Sequence, residues 1–282
     1  MKSAVPTANN RFFQVTNMVN RCKLNASDHL AACVGSMSYW DNYVSNYQQD
    51  RKYIQDWTNQ YIKSFYLQLV NRALGQLKLA KGLRVLKVDL WNEGVETSRD
   101  ILGNFANVDA VGFDFSKTIC RMAKNRLHNS GVAQATCQSL PFASGKFDLV
   151  LDLSTIDHIP FAYAGEIFSE YYRVLKPKGL LAMAFWRSNI VTKYFLHAPA
   201  EQLYFDKKKV AVELEDNGFS IVSSYDVGSL LTITESNLWL GPFLFWRMKA
   251  AFEDRLLDSV AKLEQYIVNM MGGLHVFYAR HP

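Results

Sequence analysis

From residue 83 onward, short apolar runs alternate with amphipathic stretches that end at glycine or proline. This rhythm limits the fold more than any composition figure does. LRVLKVDL (83–90), VDAVGFDFS (108–116), AQATCQS (133–139), KFDLVLDLS (146–154) and GLLAMAFW (179–186) read as strands. Between them, GVETSRDILGNF (94–105), SKTICRMAKNRLHNSG from 116 closed by Gly131, and AGEIFSEYYRVLKPKG (164–179) stopped at Pro177 and Gly179 read as helices. Strands alternating with helices at this spacing predict a doubly wound, mostly parallel α/β sheet with ligands at the carboxyl ends of its strands.

The flanks differ from this core. Residues 1–80 show helical periodicity, as in YIQDWTNQYIKSFYLQLVNRALGQLKLA (53–80), and form an N-terminal helical extension to a core spanning 81–228. Within that core, KKKVAVELEDNGFSIVSSYDV gives a helix capped by Asp206 and ended at Asn217-Gly218, then a sixth strand. Residues 229–272 form an aromatic and helical insertion, and LHVFYAR in 273–282 supplies a seventh and last strand.

Composition narrows the function classes. Lys+Arg 31 against Asp+Glu 26 is a mild excess with no basic stripe and no aromatics interleaved with Arg and Lys, which argues against nucleic acid as a partner. Cys22, Cys33, Cys120 and Cys137 show neither CxxC spacing nor a pairing with His, so no metal site or disulfide framework is expected. The N-terminus lacks a signal-length apolar core, and the run LWLGPFLFW (238–246) is too short to span a bilayer. The expectation is a cytoplasmic protein without stable membrane insertion.

The chemistry begins with GFDFS. Asp114 stands at the carboxyl tip of the second strand, where an acid can accept hydrogen bonds from both hydroxyls of a ribose. Together with TCQSLPFASGKFDLVLDLSTIDHI (136–159) and YYRVLKPKGLLAMAFW (171–186), this stretch resembles the class I methyltransferases that use S-adenosylmethionine. In those proteins VGxDxS, LPFxxxxFDxV and RVLKPGGxL recur in this order. The resemblance implies the seven-stranded Rossmann-like methyltransferase fold, S-adenosylmethionine as cofactor and S-adenosylhomocysteine as product.

It also implies a glycine-rich first motif at RVLKVDLWNEG. Here Lys87 stands at the family's acid, Asp89, Trp91 and Glu93 stand at its three glycines, and Gly94 arrives one residue late. Glycines serve there because backbone must approach the cofactor closely, often with positive φ. Two readings stand. In one, Asp89 or Glu93 meets the cofactor's ammonium and sulfonium charges and Arg99 its carboxylate. In the other, side chains fill the pocket and the cofactor role is lost.

By the same resemblance the third-strand turn, Thr136 and Cys137 with Gln138 next, holds the adenine, Phe115 packs beside it, and Asp152 lies at the methionine end. His158, just after the fourth strand, is the candidate base or acceptor contact, with Asp157 beside it. The acceptor is expected to be a small apolar or aromatic molecule, methylated by in-line displacement. The elements expected around it are the N-terminal helices with MSYWDNYVSNY (37–47), the 187–205 linker and the 229–272 insertion, whose large apolar groups either line its pocket or pack the insertion on the core or on a second copy in a homodimer. The rival function is a methyltransferase-fold protein that no longer methylates and serves as a partner subunit or runs another reaction in the same pocket.

Overall fold

The computed structural model describes residues 39–44, 56–77, 82–105, 108–189, 192, 202–227 and 273–282. Its seven strands are β1 (Arg84–Val88), β2 (Asp109–Asp114), β3 (Gly131–Gln134), β4 (Phe147–Leu153), β5 (Leu175–Trp186), β6 (Ser220–Val227) and β7 (Leu274–Arg280). They form one sheet in the order β3-β2-β1-β4-β5-β7-β6. The first five run parallel, and β7 lies antiparallel to both β5 and β6. The order reverses between β1 and β4, so the crevice of such a sheet opens at their carboxyl ends.

Both faces are covered, which is why β4 is buried along its whole length. On one face Leu86, Phe113, Val150 and Phe185 pack with Phe168 and Tyr171 of a helix at Ala164–Val174 and with Val210 and Leu214 of a helix at Lys207–Asp216. On the other, Val85, Leu149, Leu151 and Tyr278 meet Tyr66, Leu69, Val70 and Ala73 of the long helix Asp56–Leu77. A third cluster joins Leu90, Ala110 and Val95 to Ile119 and Ala123 of the helix Lys117–Arg126, and Val44 from the helical residues 39–44 packs into it.

Four boundaries differ from expectation. The helix expected over 94–105 is a single turn, Trp91–Gly94, followed by 3-10 turns at Thr97–Arg99 and Leu102–Asn104. The N–H groups of Ile101 and Leu102 donate to Glu93 Oε1, each at 3.2 Å, and that of Gly103 donates to Asp100 Oδ1 at 3.0 Å. Side-chain acceptors have taken the donors that a helix needs. The helix after β2 ends at Arg126, not at Gly131, which opens β3.

The third strand stops at Gln134, and 136–139 form a tight turn in which Ser139 N–H donates to the Thr136 carbonyl at 3.2 Å. The helix expected to reach 179 stops at Val174. Lys176 to Gly179 bulge from β5 between Leu175 and Leu180, which pair with Phe147 and Leu149, and Lys178 adopts φ +67°. Cys120 and Cys137 are free and buried. No helix among the described residues is long and apolar enough to cross a membrane. The 229–272 insertion and most of the 187–205 linker lie outside the described residues.

Candidate functional site

The loop after β1 keeps the backbone of a glycine turn without its glycines. Asp89 sits at φ +66°, in the left-handed region that few residues other than Gly, Asn and Asp enter. Its Oδ1 accepts the Trp91 N–H, so the carboxylate folds back on its own turn and opens the helix Trp91–Gly94. The next donor, Leu90 N–H, goes to Asp114 Oδ2 at 3.1 Å, which ties the tips of β1 and β2 together.

Lys87 and Glu93, the two most foreign residues of the motif, face each other inside the protein. Lys87 Nζ lies 3.0 Å from Glu93 Oε2, with side-chain exposures of 1% and 0%, and donates to the Asp89 carbonyl at 2.6 Å. Burial works to strip the Lys87 proton, but the carboxylates of Glu93 and Asp89 outweigh it and hold the ammonium above its ordinary range. The expectation that Glu93 meets a cofactor is therefore corrected: its carboxylate is engaged with Lys87, Ile101 and Leu102. Gly94 does serve as a glycine, since a Cβ there would stand 2.9 Å from the Ile119 carbonyl oxygen, and it lets the short helix press on the next one.

Three aspartates at the strand ends are buried. Asp114 accepts Leu90 N–H and, through Oδ1, Ser116 N–H at 2.8 Å, and burial beside the Asp89 carboxylate pushes its pKa up to about 8. Asp152 accepts Thr155 N–H at 2.9 Å, Ile156 N–H at 3.3 Å and the Tyr171 hydroxyl at 3.0 Å; burial raises it to about 6. Tyr171 also bonds Cys137, so Asp152 acts on the site only through the 154–156 turn and this buried network.

Asp157 is corrected as a catalytic group. It is fully buried and accepts the Ser154 hydroxyl at 3.0 Å and the Trp186 N–H at 2.6 Å, which lash the turn after β4 to the end of β5. Ser154 itself adopts φ +67°. His158 is half-buried beside it, in the 3-10 turn Ile156–His158. In the third-strand turn Thr136 is exposed, Gln138 half-buried and Cys137 buried, while half-buried Phe115 takes a hydrogen bond on its carbonyl from Gln134 at 3.0 Å.

The N-terminal extension, expected beside the acceptor, packs its rings on the loop after β1 and the turn after β4. Residues 39–44 lie across the strand ends: Trp40 meets the Trp91 ring at 6.1 Å and the His158 ring at 5.7 Å, and Tyr43 meets Trp91 at 5.6 Å. Asp41 accepts the Ser116 hydroxyl at 2.5 Å. Trp91 thus meets this aromatic cover edge-on and tilted. From the long helix, the Tyr66 hydroxyl bonds Ser154, and burial raises its pKa against the lowering charge of Arg99.

The comparisons with known proteins bear on the core and its fold. A family model described as a methyltransferase domain matches residues 94–183, beginning at the glycine that follows the altered loop. An uncharacterized methyltransferase from Synechocystis sp. is 27% identical over 175 residues, 60% of this chain and 76% of that protein. A ubiquinone/menaquinone biosynthesis C-methyltransferase from Geotalea uraniireducens is 31% identical over 114 residues, which is 38% of this chain and 47% of that protein. Among solved structures, the 4+2 cyclase SpnF has the same fold at a TM-score of 0.52 and 19% identity, over 77% of this chain and 80% of that one. A geranyl diphosphate methyltransferase in complex with S-adenosylmethionine follows at 0.50 and 12%, over 77% and 85%. Residues 94–183 are thus matched as a methyltransferase domain, and the sheet that carries them has the Rossmann-like methyltransferase fold.

Proposed function

We propose that the chain binds S-adenosylmethionine across the carboxyl ends of β1, β2 and β4 and transfers its methyl group to a small apolar or aromatic acceptor. The observation that carries this reading is the left-handed Asp89, which keeps a glycine's backbone geometry at the first position of the loop. The surrounding residues fit the cofactor part by part. Asp89 at the turn after β1 and Arg99 in the following 3-10 turn suit the ammonium and carboxylate of the methionine end. Each oxygen of Asp114 takes one backbone N–H and keeps further acceptor capacity for a ribose hydroxyl. Phe115 and the Thr136 to Gln138 turn suit the adenine.

When bound, S-adenosylmethionine supplies a methyl group on a sulfonium, to be displaced in line by the acceptor's nucleophilic atom. The rings of Trp40, Trp91 and His158 exclude water from that place and favour a cation beside their faces. His158, held against Trp40, is the acceptor-facing group that the geometry favours after β4. The Geotalea relative is named for C-methylation in quinone biosynthesis, which agrees with an apolar acceptor.

A second reading, a fold without methyl transfer, draws support from the buried Lys87–Glu93 pair inside the loop and from Asp114 being only 5% exposed. Calorimetric titration separates the two. Micromolar affinity for S-adenosylmethionine or S-adenosylhomocysteine, weakened at least tenfold in folded Asp114→Ala protein, supports the cofactor site. No heat at millimolar cofactor, from protein free of carried-over ligand, would falsify it.

A further inference from the structure

Glu170 and Arg173 form an ion pair whose hydrogen bonds are directed at a single loop. They stand one turn apart on the helix Ala164–Val174, and the guanidinium grips the carboxylate with Nε 2.6 Å from Oε1 and Nη2 2.8 Å from Oε2. From there the pair reaches the stretch that follows β3. Glu170 Oε2 accepts the Leu140 N–H at 2.7 Å, Arg173 Nη2 donates to the Leu140 carbonyl at 3.0 Å, and Nη1 donates to the Phe142 carbonyl at 2.7 Å. Both backbone groups of Leu140 are thereby held by one planar fork and its carboxylate. The hydrogen bond from Arg173 keeps the Glu170 carboxyl below its ordinary range, so the strap is charged at neutral pH.

Stability alone does not account for this strap. The Arg173 side chain is 33% exposed and that of Glu170 19%, and an ion pair so open to water contributes little to folding. Burial of Cys137 and Leu140 in the core already anchors the loop, but apolar burial is non-directional. The charge-assisted bonds to Leu140 and Phe142 are directional, and they fix how the backbone faces. The loop opens with the tight turn 136–139, closed by Ser139 N–H on the Thr136 carbonyl at 3.2 Å. Among the described residues no backbone carbonyl takes the N–H of Cys137 or Gln138. An amide N–H pairs with N1 of adenine, a bare acceptor, whereas hypoxanthine carries a hydrogen on N1 and would meet the same amide donor to donor.

We propose, resting on the cofactor reading above, that Glu170 and Arg173 are positioning residues that set the adenine selectivity of the site, by holding the 136–142 loop with its N–H groups toward the base edge. Their action runs through the backbone of Leu140 and Phe142. Loss of the fork leaves the loop in the core by its apolar side chains and frees its backbone to turn.

The test is calorimetric titration of the full chain with S-adenosylhomocysteine and with S-inosylhomocysteine, which differ only in the base. Wild type should bind the adenosyl compound at least tenfold more tightly. In folded Arg173→Leu protein this ratio should fall toward one, with the loss confined to the adenosyl compound and the inosyl affinity little changed. Arg173→Lys restores the charge without the fork and should recover part of the ratio. Should Arg173→Leu not fold, the same outcomes are read from Glu170→Gln, which keeps an acceptor for the Leu140 N–H but weakens the grip on Arg173. Equal loss of both affinities marks a merely structural role and overturns the proposal, as does a wild-type ratio retained in the variant or a wild type without preference; in each case the cofactor reading stands. A wild type that binds neither compound overturns the proposal and the cofactor reading together.

Discussion

At the scale of single residues, the altered loop is a set of exchanges that work only together. Lysine stands where the family has an acid and glutamate where it has a glycine, and the two neutralise each other in the interior at 3.0 Å. Removing one partner strands the other charge in a dry place, which costs about 3–5 kcal/mol, whereas removing both can be nearly neutral. Lys87→Met should therefore lower the stability read by urea denaturation by about that amount. Lys87→Met with Glu93→Gln, which keeps an acceptor for Ile101 and Leu102, should recover most of the loss. A double variant as unstable as the sum of its singles would mean that the pair is not coupled. The sequence exposed both residues as anomalies, because they break a glycine pattern. It did not show them as partners, since six positions on a strand and a turn give no fixed spatial relation.

At the scale of elements, what was legible depended on whether local or distant contacts set the structure. β1, β4 and the start of the helix Ala164–Val174 follow their own periodicity and stood close to where the pattern put them. The 94–105 helix failed because Glu93 and Asp100 captured its donors, a competition no periodicity reveals. The segment 39–44 was legible as aromatic, helical material expected beside the acceptor, but its contacts were not. MSYWDNY carries no motif, and its meaning lies in rings brought from residues 91 and 158. Tyr66 was missed in the same way. If the cover closes the cofactor site, Trp40→Ala should weaken S-adenosylhomocysteine binding by at least tenfold, about 1.4 kcal/mol, in calorimetry. The unfolding transition should barely move, because Trp40 is only half-buried and stands outside the sheet. Equal affinity in variant and wild type would make the aromatic contacts packing alone.

At the scale of the whole molecule, the sheet gathers buried acids at one edge, and this sets how stability responds to pH. Burial raises Asp114 to about 8 and Asp152 to about 6, and it raises Asp157 and Glu93 as well. A carboxyl whose folded pKa lies above its unfolded value near 3.8 keeps its proton longer in the folded state. Between the two values the folded protein binds more protons, so stability is full below about pH 4 and falls as pH rises toward the folded pKa. Asp226 and Glu170 are lowered, and they act in the opposite sense below their unfolded values, where stability falls as acid protonates them. The chain should therefore be most stable in mild acid, and its urea midpoint should decline from about pH 5 to pH 8. Asp114→Asn removes an acid raised to about 8, so the decline above about pH 6 should flatten in that variant. A variant profile parallel to the wild type across that window would show that Asp114 is ionised in the folded protein throughout. The same carboxylate would then meet a ribose as an anion, and the energetic cost of holding it at the crevice would be borne by the Lys87 ammonium nearby.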